Sequence, residues 1–128
     1  MPGGGLALLR TICAVEKEEQ TAEGDEKTGL RILKRALEAP ARQIAENSAV
    51  DGGVVVDKMR TGTGNFGFDA AKSQYVDLME AGIIDATKVV RIALENAVSV
   101  ASVLLLAEAT LTEIPEPKTA QAREPDLG

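Results

Sequence analysis

The chain has 128 residues, of which 45% are hydrophobic and 2% aromatic, and a net charge of −6. That length suits one domain or a piece of one, the Ala-, Val-, Leu- and Ile-dominated composition favours packed helices over a β-sandwich, and the acidic balance argues against nucleic acid as the partner, since that needs clustered Lys and Arg. The absence of His and the single cysteine, Cys13, exclude a Cys/His zinc centre, a His-dependent triad and an intrachain disulfide, and point to an internal, cytosolic or organellar compartment.

In chain order, Gly3-Gly4-Gly5 read as a turn opening into a short helix over Leu6, Leu8, Leu9 and Ile12. This start is too short and too Gly-rich for a secretory signal. Cys13 falls on the same apolar pattern and is expected in the core. Residues 16–27 are polar and charged, which predicts a loop or a frayed helix end. From 25 to 47, Leu30, Leu33, Leu37, Ala41 and Ile44 step by three or four, giving one apolar helix face. Lys34–Glu38, Glu38–Arg42 and Arg42–Glu46 are i,i+4 pairs on another face. Pro40 is expected to kink or break this helix. Asp51-Gly52-Gly53 predicts a turn, and residues 54–60 a short helix, although three consecutive valines also suit a strand.

Gly-punctuated aromatics at 62–68 predict a hairpin strand near 65–68, followed by a short strand or helical turn at 75–79. Residues 87–108 form the clearest helix. A narrow polar stripe of Lys88, Arg91, Glu95, Ser99 and Ser102 runs along an otherwise apolar surface. This predicts a helix about 33 Å long, buried on most sides and capped by Asp85 or Thr87. Its most apolar run is about half of the ~20 residues that a membrane span requires. A terminal strand is expected at 110–114, stopped by Pro115 and Pro117, with a disordered polar tail over 116–128.

Residues 62–67, GTGNFG, formally match G-x-G-x-x-G. A dinucleotide fingerprint needs a strand ending at the first Gly and a helix opening at the last. Here charged residues 57–60 precede the motif and Phe68-Asp69 follow it, so the match is set aside. There is no P-loop sequence. The triple glycine could bring backbone close to an anion or a ribose, or it could be a flexible start. Asp69 and Asp85, each beside small or aliphatic residues, could accept hydrogen bonds at the edge of a slot for a base and a sugar. Turn and cap chemistry explains the same residues. Nothing marks them as an acid–base pair.

Three blocks carry a resemblance: GGGLALLR, GLRILKRALEAPARQIAENS, and the run from GNFGFDAAKSQYVDLMEAGIIDATK through to TEIP. In order and spacing they closely resemble the C-terminal part of bacterial and mitochondrial chaperonins, the GroEL family. The likeness spans roughly Gly3 to Pro115. It implies a mainly α, multihelical segment of the equatorial domain, with a short β-hairpin and a terminal β-strand, over residues 1–115. It also implies a site for ATP or ADP. Gly4 would lie against the ribose, Asp69 and Ala70 would line the adenine, Ile83 would pack on the base, and Asp85 would take the ribose hydroxyls. Asp69 stands where Asn is frequent and Ala86 where Pro is usual.

The family's phosphate and magnesium loops, its catalytic carboxylate and its client-binding surface belong to parts that the likeness does not cover. The resemblance therefore implies no catalytic or metal-binding residue here, magnesium held only through those other parts, and no useful ATP hydrolysis or folding activity from this chain alone. The implied partners are chaperonin subunits, with unfolded polypeptide bound only by the full-length family, and neither nucleic acid nor membrane. The implied location is the cytoplasm, or the mitochondrial matrix in a eukaryote. The alternative is a small helical module that associates with chaperonin subunits or itself and binds no nucleotide.

Overall fold

A computed structural model describes residues 1–109, 111 and 112. Four helices and one hairpin follow in the order α1 (Leu6–Thr21), α2 (Gly24–Asn47), α3 (Gly52–Thr61), β1 (Phe66–Asp69), β2 (Gln74–Asp77) and α4 (Thr87–Leu106). The chain divides into two units, one of Met1–Leu94 and a second beginning at Glu95.

The core of the first unit is built by α1, α2, α3 and the hairpin. Leu6, Leu9 and Ile12 of α1 meet Leu37, Ala41 and Ala45 of α2, Val55, Val56 and Met59 of α3, and Phe68 and Leu78. Each helix contributes a stripe at steps of three or four, the spacing that places side chains on one face. Asp51 opens α3 as its N-cap, and its side chain accepts the Val54 N–H at 3.0 Å.

Several expectations are corrected. The polar stretch over 16–27, expected as a loop or a frayed helix end, is helical on both sides of a short break: α1 runs on to Thr21 and α2 begins at Gly24. Its charges are satisfied across helices. Lys34 reaches Glu16 at 3.3 Å and Glu19 at 2.9 Å on α1 rather than the expected Glu38 on its own helix. Arg31 also binds Glu19, at 2.8 Å. Arg60 of α3 bridges Glu16 and Glu38, both at 3.1 Å, and Glu38 keeps the foreseen i,i+4 bond to Arg42. Seven side chains thus form one chain of ion pairs over three helices.

Pro40 does not break α2, which is continuous through it. Proline removes one backbone donor, but Leu37, Ala41 and Ala45 on either side are buried against other elements and hold the helix together. Cys13 is exposed rather than in the core. It follows the buried Ile12 by one residue, which turns it about 100° off the buried stripe.

The hairpin was foreseen, and β2 resolves the ambiguity at 75–79 as a strand of Gln74–Asp77. The register pairs Phe66 with Asp77, Gly67 with Val76, Phe68 with Tyr75 and Asp69 with Gln74. Tyr75 stacks on Phe66 with centroids 5.6 Å apart, meets Phe68 at 5.4 Å, and lies under the Lys58 ammonium at 4.4 Å. Burial raises the Tyr75 phenol above its ordinary value.

The largest correction concerns α4. It starts at Thr87 as expected and ends at Leu106, but none of its residues is buried. A helix apolar all round needs cover on several sides, and within the first unit only Val90 of α4 is half-buried. By length and composition α4 could cross a membrane. Of the predicted strand at 110–114 only Leu111 and Thr112 are described, neither in a strand. The rest of that strand and the tail at 116–128 lie outside the described residues.

Candidate functional site

The residues singled out in the sequence come from three stretches. The first is the N-terminal segment. Gly4 and Gly5 adopt left-handed backbone, φ 62° and 76°, a region that costs a residue with a Cβ roughly 1–2 kcal/mol. Two such residues in succession turn the extended start of the chain into α1.

That start forms a short antiparallel pairing with residues 83–85, eighty or more positions away. Pro2 bridges Ile84. Gly3 donates its N–H to the Ile83 carbonyl at 2.9 Å, and Asp85 donates its own to the Met1 carbonyl at 3.0 Å. The Met1 amine donates to the Asp85 carbonyl at 3.2 Å. The pairing puts the Asp85 carboxylate beside Gly3. A methyl group at Gly3 would stand 3.3 Å from Asp85 Oδ1 and 3.2 Å from the Ile83 carbonyl oxygen.

The third stretch is the end of the hairpin. A methyl group at Gly4 would lie 3.5 Å from Leu78 Cδ1 and 3.6 Å from the Phe68 carbonyl, next to Asp69. Leu78 is fully buried. Its N–H binds the Asn65 carbonyl at 3.0 Å, and its carbonyl accepts the Ile83 N–H at 2.8 Å. Leu78 is therefore the hub of the site: it underlies Gly4, joins the start of the hairpin and fixes Ile83. The spacing of residues did not single it out, because its role depends on contacts with both ends of the first unit.

Asp69 is buried, at 5% exposure. Its Oδ1 accepts the N–H groups of Ala71 at 3.0 Å and Lys72 at 3.3 Å, the turn chemistry foreseen as the alternative role. Asp77 repeats this device on the N–H groups of Met79 and Glu80. Ala70 and Ile83 are half-buried and pack against the core, while Asp85 is exposed. Glycine backbone at residues 3–4 thus stands beside Ile83 and an exposed carboxylate able to accept hydrogen bonds. Among the described residues no three acidic, His or Cys side chains gather where they could hold a metal.

The G-x-G-x-x-G match is resolved by the same geometry. Gly62 caps the end of α3 and Gly67 lies within β1. The motif therefore runs from helix to strand, the reverse of the dinucleotide arrangement.

The chain is 71% identical over 127 residues to Chaperonin GroEL 5 of Bradyrhizobium diazoefficiens, a match that covers 99% of this chain and 24% of the relative. Among solved structures, the open-state monomer of a group II chaperonin from Methanococcoides burtonii aligns with TM-score 0.77 and 22% identity, over 84% of this chain and 28% of its own. A group III chaperonin in the open state aligns with TM-score 0.79 and 28% identity, over 87% and 24%. This chain thus spans about a quarter of the length of the proteins it matches. Residues 1–115 match the model of the TCP-1/cpn60 chaperonin family, and the chain belongs to that family.

Proposed function

We propose that this chain supplies the adenosine side of a chaperonin ATP site, together with contacts to chaperonin subunits. The observation that carries the reading is the pairing of residues 1–3 with 83–85, which joins the glycine turn to Ile83 and Asp85. In this reading Gly4 lets the ribose approach the backbone, Ala70 and Ile83 flank the base, and Asp85 accepts from the ribose hydroxyls. Asp69 holds the turn that presents Ala70, and offers the base only the carboxylate oxygen that the turn does not use.

When the nucleotide is bound in the whole assembly, phosphoryl chemistry requires magnesium and donors around the phosphates. No residue of this site is assigned to that task. The chain by itself is accordingly proposed to bind adenosine nucleotides weakly and neither to hydrolyse ATP nor to fold clients. The bacterial relative supports a cytoplasmic setting.

Calorimetric titration of the purified chain with ADP, ATP and adenosine tests the reading. Adenosine and ADP should bind with similar affinity, since the proposed contacts are to base and sugar. No binding of any of them at millimolar concentration would overturn it. A second reading, a helical module that works by association without nucleotide, is favoured by one observation: α4 exposes apolar side chains along its whole length. That reading survives a negative titration.

A further inference from the structure

The pairing between residues 1–3 and 83–85 is made by main chain rather than by side chains. Gly3 N–H donates to Ile83 and Asp85 N–H to Met1, so Pro2 and Ile84 face each other at a narrow, non-hydrogen-bonded position. Little apolar area backs the pairing. Gly3 is buried but has no side chain, Met1 and Pro2 are half-buried, and Ile84 and Asp85 are exposed. None of residues 1–3 belongs to the core. Separating the two arms breaks backbone hydrogen bonds and uncovers little hydrocarbon.

The bases of the two arms are held more firmly. Gly5 lies tight against the Ala41 backbone. Ile83 packs on the core, with its N–H on the Leu78 carbonyl. Between the first arm and α1 stand Gly4 and Gly5, both at left-handed φ, and adjacent glycines absorb large changes of φ and ψ at no side-chain cost. A segment with few apolar contacts and surface hydrogen bonds opens at low free energy while the core stays folded.

The arm also sets the geometry of the candidate site. Closed, it holds Gly4 against Leu78 and the Phe68 carbonyl, and Gly3 beside the Asp85 carboxylate. Open, the Gly4 backbone turns away from Ile83 and Asp85. We propose that residues 1–3 are a strap, hinged at Gly4-Gly5, whose closing on residues 83–85 assembles the nucleoside site and whose opening takes it apart. This regulation rests on the nucleotide reading above, whereas the opening of the strap stands without it.

Hydrogen exchange of the purified chain with Met1 retained, resolved by NMR and corrected for intrinsic rates, tests both parts. The Gly3 and Asp85 amides should share one level of protection, lower by about a hundredfold or more than that of Val56 and Met59 in the core. A ligand that binds only the closed strap slows their exchange by one plus the ratio of free ligand to Kd. ADP at about ten times its Kd should therefore slow both amides by about tenfold. A disulfide closes the strap without ligand. Pro2→Cys with Ile84→Cys, in a Cys13→Ser background, joins two directly opposed residues. Oxidation should slow the two amides by about tenfold or more, and ADP should then slow them no further.

Protection of Gly3 equal to that of Val56 would overturn the proposal, because the strap would then open only with the core. Unrelated protection of Gly3 and Asp85 would overturn it too, since the pairing would not open as a unit. If the disulfide does not form, Gly3→Ala decides: its methyl group crowds the Ile83 carbonyl and Asp85 Oδ1. Protection of Asp85 should fall several-fold with Val56 unchanged, and an unchanged Asp85 would overturn the strap. ADP that binds by calorimetry yet leaves both amides unchanged overturns the regulation and spares the nucleotide reading. ADP that does not bind at all overturns that reading and the regulation with it, while exchange in the ligand-free chain still decides whether the strap opens.

Discussion

Gly5 and Ala41 touch so closely that no other residue fits at Gly5. A methyl group there would stand 2.6 Å from the Ala41 backbone nitrogen and 2.9 Å from its Cα and Cβ. The contact joins the N-cap of α1 to the residue directly after Pro40, in the C-terminal third of α2. It also sets the direction in which the chain start runs back toward residues 83–85. Gly5→Ala combines a left-handed φ of 76° with this overlap, and should destabilise the chain by about 2–4 kcal/mol. Urea unfolding followed by circular dichroism measures it. An unchanged midpoint would mean that α1 and α2 separate at no cost.

The ion-pair chain gives a pH dependence with a defined sign. Hydrogen bonds from Arg31 and then Lys34 hold the Glu19 carboxyl below its ordinary 4.5. Its contribution is therefore complete above about pH 4.5 and is lost as the pH falls through the lowered value. Lys34 is held above its ordinary 10.5, chiefly by its hydrogen bond to Glu19. That contribution is complete below 10.5 and is lost as the pH rises through the raised value. Unfolding midpoints between pH 6 and 3 should fall less steeply in Glu19→Gln than in the unsubstituted chain, after correction for the neutral-pH difference. Parallel curves would show that the network adds nothing to acid stability.

Asp51 caps α3 through one hydrogen bond to Val54 N. Asp51→Ala should cost about 1 kcal/mol, while Asp51→Ser should restore most of it. Both are read from the urea midpoint. Equal losses in the two variants would assign the effect to something other than the cap.

At the candidate site, Asp85→Ala removes an exposed carboxylate while its backbone pairing with Met1 persists. Thermal stability should stay nearly unchanged, and affinity for ADP should fall by about tenfold, the worth of one charge-assisted hydrogen-bonding group. 2′-Deoxy-ADP should show a smaller loss than ADP on this substitution. If Asp85→Ala binds ADP as tightly as the parent, the carboxylate is not a ribose contact.

Legibility followed the range of the interactions. The stripes of Leu6, Leu9 and Ile12 and of Leu37 and Ala41 were readable because helical periodicity is local. Glycines and aromatics marked the hairpin for the same reason. Residues 16–27 carry charges that suit a solvated loop or a frayed helix end, and only the neighbouring helices make Glu16 and Glu19 partners for Lys34, Arg31 and Arg60. Leu78 could not be distinguished from any other core leucine until its neighbours were known.

By itself the sequence determined the helical class, the hairpin, the family resemblance and the residue types available for a nucleotide. These follow from periodicity, turn chemistry and extended likeness, all properties of the chain in order. Tertiary structure decided the rest. It brought residues 1–3 against 83–85, committed Asp69 Oδ1 to a turn and placed Cys13 outside the core. Each of these depends on which surfaces meet, and burial of apolar area is non-directional: the pattern along α4 announces that it must be covered, but only a folded partner surface can say by what.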